Sequence, residues 1–285
     1  MTAAALPARV DLGRRRWWEG IGQLLLATAL LGALVLTAAF PSAFSSADPS
    51  DCNLSHSLDG PSRAHLFGYD LQGCDYLSIT LYGGRTSLAL AALVLTGTTL
   101  IALVLGSVAG FAGGRTDVLL SRVTDVWSGI PLILGGVIVL SSREARGLVQ
   151  VALVLTLFGW PAMFRVLRAS VLEVRQRDYV TAASALGARP LRLLLRHVLP
   201  NSIRPLLVFT SAYAGVVIAA EATLTFAGVG LGRPAYSWGI QLFEAQSRLR
   251  AAPHLLLFPG LFLVAAVIGC VLLGEALRRR ASSVA

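Results

Sequence analysis

Residues 178–200 read DYVTAASALGARPLRLLLRHVLP, a polar, arginine-bearing stretch held between two long apolar runs. Asp178 can accept from the unpaired amides of a first helical turn. This predicts a short helix over residues 179–186, with Asp178 as its N-cap and Thr181 in its first turn. Gly187 suits a left-handed stop, and Pro190 suits the first position of a second helix. In that second helix Leu191, Leu194, Leu195 and Val198 recur at helical spacing, with Arg192 and Arg196 on another face, and Pro200 closes it. Ala182, Ala183 and Ala185 leave the first helix with a small-residue surface that suits close insertion into a groove on another protein. An interfacial anchor helix is the competing reading.

Outward from this segment the chain is mostly apolar. Residues 148–164 and 203–226 flank it, and residues 21–40, 87–111, 118–140 and 255–274 form further runs long enough to cross a bilayer. The composition agrees: the 285 residues are 55% hydrophobic and 14% charged, with mean hydropathy +0.70, values that soluble domains seldom reach. The expected fold is all-α, a polytopic bundle of six transmembrane helices. Its segments are 1–20, the first span 21–40, an external loop 41–86, a core of five spans over 87–275 that includes a loop at 165–204, and a tail at 276–285. A cleaved signal peptide competes for the first run, but that run is longer than a usual signal core, which favours a retained span. Gly106 and Gly110 sit one turn apart in the second run and allow a close helix neighbour, while Pro131 predicts a kink in the third.

Every basic side chain is arginine, and the net charge is +9. Four arginines precede residue 20, two lie at 112–122, eight between Arg165 and Arg204, and three at the C-terminal end. That puts seventeen on one side against seven on the other. Such alternation is an orientation signal, so both termini and the central loop are expected in the cytoplasm and nucleic acid is not an expected partner. Cys52, Cys74 and Cys270 form no CxxC pair, and no metal site is expected.

The 178–200 stretch resembles the cytoplasmic "EAA" loop of permease subunits in ATP-binding-cassette (ABC) importers. That pattern is Glu-Ala-Ala, three residues, Gly, then Pro thirteen positions later. Ala182, Ala183, Gly187 and Pro200 keep the spacing, and Thr181 stands where the family has Glu. Residues 65–88, HLFGYDLQGCDYLSITLYGGRTSL, are similar to the stretch before the second span in the oligopeptide/dipeptide/nickel subfamily, through Phe67, Gly68, Asp70, Gly73, Asp75, Ser78, Tyr82, Gly83 and Arg85. Cys74 replaces an expected Arg there. Because Cys52 lies in the same external loop, a Cys52–Cys74 disulfide and two unpaired thiols are both open readings.

Glu221 is the one acidic residue deep in an apolar span, and an ionisable group there is a functional candidate. It either lines a translocation path or makes a protonated or Arg-paired helix contact. The subfamily usually has Glu at this position before Ser/Thr-Leu-x-Phe-x-Gly, and residues 221–228 look like it. Gly228, Gly230 and Gly232 follow a membrane helix and lack a Lys-Ser/Thr, so they are no phosphate loop. With residues 234–239 they resemble the family's external hairpin, where Tyr236 and Trp238 are expected at the membrane interface. No HExxH, GxSxG or Walker A pattern occurs, and no enzymatic site is expected.

The resemblance implies a type I ABC importer permease fold in a bacterial cell membrane. Its implied partners are a second permease, cytoplasmic ATPase subunits that use ATP and Mg, an extracytoplasmic substrate-binding protein, and a peptide cargo. This chain itself would bind no cofactor. A nickel or metal-chelate permease of the same family, and a proton-coupled transporter using Glu221, are the alternatives.

Overall fold

A computed structural model describes residues 10–142 and 146–283. The basic N-terminal residues up to Arg9, and Arg143 and Glu144 of the 141–147 connection, lie outside the described residues. Within them the chain is helical, with α1 Val10–Ala39, α2 Tyr76–Ala112, α3 Gly114–Ser128, α4 Leu132–Ser141, α5 Leu148–Arg175, α6 Asp178–Ala185, α7 Pro190–Phe226, α8 Trp238–Ala245 and α9 His254–Ser283. Five helices are long and apolar enough to cross a membrane: Gly20–Ala39 within α1, then α2, α5, α7 and His254–Ala281 within α9. The bent pair α3–α4 makes a sixth span if taken as one. Leu100, Val104, Leu153, Val216, Leu257 and Ile268 point outward from the bundle, as suits a hydrocarbon solvent.

Helix α2 begins at Tyr76, well before the expected start of its span at residue 87, because Asp75 caps it. Asp75 Oδ1 accepts the Ser78 amide at 2.8 Å, and Oδ2 holds His65 Nδ1 at 2.7 Å. At 37 residues α2 is about 55 Å long, against roughly 30 Å of hydrocarbon, so the part assigned above to loop 41–86 is its projecting end. Helix α5 crosses α2 closely: a Cβ at Gly106 would stand 3.2 Å from the Phe164 carbonyl oxygen, and one at Gly110 would stand 2.8 Å from Val171 Cβ. Here the packing uses small residues, since lipid supplies no hydrophobic drive between helices.

The third span is broken rather than kinked. Pro131 takes an extended ψ of 131°, and α3 and α4 meet at 71°. Pro161, Pro205 and Pro259 lie inside helices without breaking them, and at two of them another residue fills the vacated carbonyl. Pro161 in α5 leaves the Leu157 carbonyl without its helical donor, and Trp127 Nε1 donates to it at 2.7 Å. Pro259 in α9 does the same to Leu255, whose oxygen accepts from Tyr76 Oη at 2.6 Å.

Pro200 does not close a helix. The chain runs through it, because residues Leu194–Val198 form one π-turn that accommodates the missing donor. The wide turn also rotates the apolar face. Leu193 and Val198 are buried, whereas Leu191, expected on the inner face, is 67% exposed, as is much of Leu195. On the opposite side of the bundle, the chain between α1 and α2 is a folded unit. Asn53 N donates to Gly73 O at 3.0 Å, and Cys52 and Cys74 approach to a Cα–Cα distance of 4.1 Å with their sulfurs 1.95 Å apart.

Candidate functional site: the α6 loop and the Glu221 junction

Helix α6 projects between α5 and α7 and is held to the bundle by little. Val180 is its buried anchor, while Tyr179, Thr181, Ala182 and Leu186 face outward and Ala183 is half-buried. Asp178 is not the N-cap. Arg177 takes the extended cap conformation one residue earlier, with ψ 145°, and makes no side-chain capping bond, so Asp178 becomes the first helical residue. Its carboxylate still sits where the helix dipole favours a negative charge. Thr181 does no capping either: its hydroxyl turns back to the Arg177 carbonyl at 3.5 Å. The C-terminal end is a Schellman stop, with Gly187 at φ +81°, Gly187 N bonded to Ser184 O at 3.0 Å and Ala188 N to Ala183 O at 3.2 Å. Pro190 then opens α7. The result is a short, well-terminated helix presenting small and apolar side chains away from the bundle, with Leu186 89% exposed at its end.

Glu221 has no exposed surface, so in this conformation it lines no path. It joins three elements instead. Oε1 accepts from Thr225 Oγ1 of its own helix at 3.0 Å and from Ser237 Oγ of the 227–237 hairpin at 3.3 Å, and Oε2 accepts from Ser87 Oγ of α2 at 3.3 Å. Each hydroxyl is itself fed by a backbone amide: Leu231 N to Thr225, Ile240 N to Ser237, and Trp238 N to Ser87. Each hydroxyl accepts from an amide and turns its own hydrogen to the acceptor-only carboxylate, which is how a buried acid is tolerated without an arginine.

Ser87 and Ser237 carry no sequence signal as partners of Glu221, because polar residues at separations of 134 and 16 mark no motif. Trp238 is not at an interface. It is 1% exposed and donates Nε1 to Thr80 O at 3.1 Å, while Tyr236 reaches the Pro49 carbonyl at 3.4 Å. Beside this hairpin, Arg233 forms a two-pronged pair with Glu244 at 2.8 and 2.9 Å and reaches Gln72 at 3.2 Å, on the rim of an open cavity of about 600 Å³. The Glu244 carboxylate holds the Arg233 guanidinium above its ordinary pKa, and burial pushes the nearby Asp70 carboxyl up despite amide bonds from Cys74 and Gln72.

The chain is thus a multi-span helical bundle that carries a short, outward-facing helix between two of its spans. Residues 102–282 match the family described as "Binding-protein-dependent transport system inner membrane component". The chain belongs to this family, and it is a multi-pass protein of the bacterial inner membrane. It is 34% identical to the oligopeptide transport system permease protein OppC of Bacillus subtilis (strain 168) over 245 residues, covering 86% of this chain and 80% of that protein. It is 31% identical over 271 residues to the dipeptide transport system permease protein DppC of Alkalihalophilus pseudofirmus, covering 92% and 88%. With the glutathione transport system permease protein GsiD of Pectobacterium atrosepticum it shares 36% identity over 220 residues, covering 77% and 73%.

Proposed function

We propose that this chain forms half of the translocation pathway of an ATP-driven importer for peptides. The observation that carries the reading is α6, a terminated helix anchored through Val180 alone among its fully buried residues and otherwise offered to a partner. Ala182, Ala183 and Gly187 are its docking surface, with Asp178 and Thr181 at its start and Pro200 in the bend that returns the chain to the bundle. The partner is a cytoplasmic ATPase subunit, which holds the ATP and Mg; this chain binds neither and is no enzyme. The arginine count supports a cytoplasmic α6 and cytoplasmic termini, with the Cys52–Cys74 loop outside, where a disulfide persists. A second permease subunit completes the pathway, and an extracytoplasmic binding protein delivers the cargo. Peptide is favoured over nickel because the similar permeases are named for oligopeptide, dipeptide and glutathione transport.

In this reading, closure of the ATPase pair on ATP displaces α6, the bundle opens outward to accept cargo, and hydrolysis resets it. The test is copurification of the tagged chain from its own membranes, wild type beside Ala183→Arg. Wild type is expected to bring down an ATPase and a second permease, and the variant to lose the ATPase. Recovery of the ATPase with neither protein would reduce the loop to an anchor that binds nothing and leave the Glu221-driven transporter as the reading to pursue; equal recovery with both would remove Ala183 from the docking surface.

A further inference from the structure

Between α6 and the rest of the bundle only Gln176 and Arg177 intervene before α5, so a displacement of α6 reaches α5 first. Helix α3 is fastened to that same helix at three points. Arg168 grips Asp117 with two prongs, Nε to Oδ1 and Nη2 to Oδ2, the second at 2.6 Å. Arg165 Nη2 donates to Ser128 Oγ at the other end of α3. Next to Ser128, Trp127 occupies the Leu157 carbonyl that Pro161 vacates. Asp117 and Ser128 lie eleven residues apart, so these contacts hold α3 along most of its length, about 16 Å.

Directly after the third fastening comes the 71° break, and the character of the packing changes there. Among the described residues no side-chain hydrogen bond joins α4 to another helix. A Cβ at Gly135 would stand 2.7 Å from the Phe158 ring of α5, and one at Gly136 would stand 3.0 Å from Leu224 of α7. Apolar contacts of this kind carry no directional bond, whereas a bidentate charge-assisted pair resists separation. The chain therefore passes, within three residues, from a half locked to α5 to a half that rests between α5 and α7.

We propose that α3 and α5 move as one body with the α6 loop, that Gly129–Pro131 is the hinge on which this body turns against α4, and that Arg165, Arg168 and Trp127 are the positioning residues that hold α3 to α5. The inference rests on the ATP-coupled reading above. Neither the buried Glu221 junction nor the Arg233–Glu244 pair takes part, since both lie on the far side of the spans.

The experiment uses the assembled transporter in proteoliposomes, in a Cys270→Ala background. Asp117→Cys and Arg168→Cys remove the clasp, and a short bis-methanethiosulfonate reagent then replaces it covalently. Before cross-linking, peptide uptake should fall about tenfold while ATP hydrolysis persists; after cross-linking, uptake should return toward the parental rate. Parental uptake without the cross-link, or loss of uptake on cross-linking that reductant reverses, would overturn the proposal, because α3 and α5 would then have to separate during the cycle. Should the double variant fail to assemble, Arg168→Gln and Arg168→Lys decide the matter. Gln should uncouple hydrolysis from uptake and Lys, which keeps the charge, should recover most of it; equal uptake by both at the parental level refutes the clasp. A parental complex that hydrolyses ATP but moves no peptide refutes the importer reading instead, and is recognised because the defect precedes any substitution.

Discussion

Trp127 donates its indole N–H to the Leu157 carbonyl at 2.7 Å, and that carbonyl is free only because Pro161 stands four residues further along α5. Tyr76 and Leu255 repeat the arrangement at 2.6 Å under Pro259. In a bilayer a backbone oxygen with no donor is costly, and at these two prolines another part of the bundle supplies the donor. The prolines thus act as addresses for inter-helix contacts as much as local interruptions.

The first prediction follows from that pairing. Trp127→Phe strands the Leu157 carbonyl and should destabilise the protein by about 1–3 kcal/mol. In a Pro161→Ala background the helix regains its own donor, so the same change should cost clearly less. A double-mutant cycle on thermal unfolding in detergent reads the difference, and equal costs in both backgrounds would show that the indole contributes packing alone.

Gly110 sets the distance between α2 and α5. Its missing Cβ would stand 2.8 Å from Val171 Cβ and 2.9 Å from the Arg168 carbonyl, which is backbone and cannot swing away. Gly110→Val should therefore lower stability by about 1–3 kcal/mol, the usual cost of overpacking. Val171→Ala should relieve only part of it, because the carbonyl remains in place. Unfolding midpoints of the two single variants and the double variant provide the check.

The spans were legible in the sequence because bilayer crossing imposes long apolar runs, and α6 was legible because Gly187 and Pro190 punctuate it. What the sequence hid is contact made at a distance. Asp178 read as a cap, but Arg177 adopts the cap conformation, since cap choice depends on the backbone angle at which α5 ends. Pro200 read as a terminator, but a π-turn upstream absorbs it. Trp238 read as an interfacial aromatic, yet the hairpin folds back and buries it under Thr80. Glu221 was visible as an anomaly, while its three hydroxyl partners were not.

The Cys52–Cys74 pairing gives a direct chemical prediction. Cys74 is 2% exposed and Cys270 lies within the bundle, whereas Cys52 is open to solvent. Maleimide applied to intact cells should modify none of the three without reductant, and Cys52 readily after it. Ready labelling of Cys52 in the absence of reductant would show two free thiols and remove the disulfide from the loop. Closing a 22-residue separation should contribute about 3 kcal/mol to the order of this loop, so Cys52→Ser should raise its sensitivity to external protease.

Glu221 separates two kinds of transporter. In the junction described above, its carboxylate receives Thr225, Ser237 and Ser87, and nothing about that role requires a proton to come and go. Glu221→Gln keeps an acceptor toward part of this set and should leave ATP-driven uptake within about threefold of wild type, at a stability cost of roughly 1–2 kcal/mol. Glu221→Leu strands three buried hydroxyls, two of which fix the hairpin and α2 to α7, and should cost about 3 kcal/mol or more with loss of assembled complex. A proton-coupled carrier behaves otherwise: Gln would abolish uptake, and collapsing the proton gradient would stop transport in the unmodified chain. Uptake into proteoliposomes with internal ATP and a protonophore distinguishes the two, because the importer should continue at its full rate.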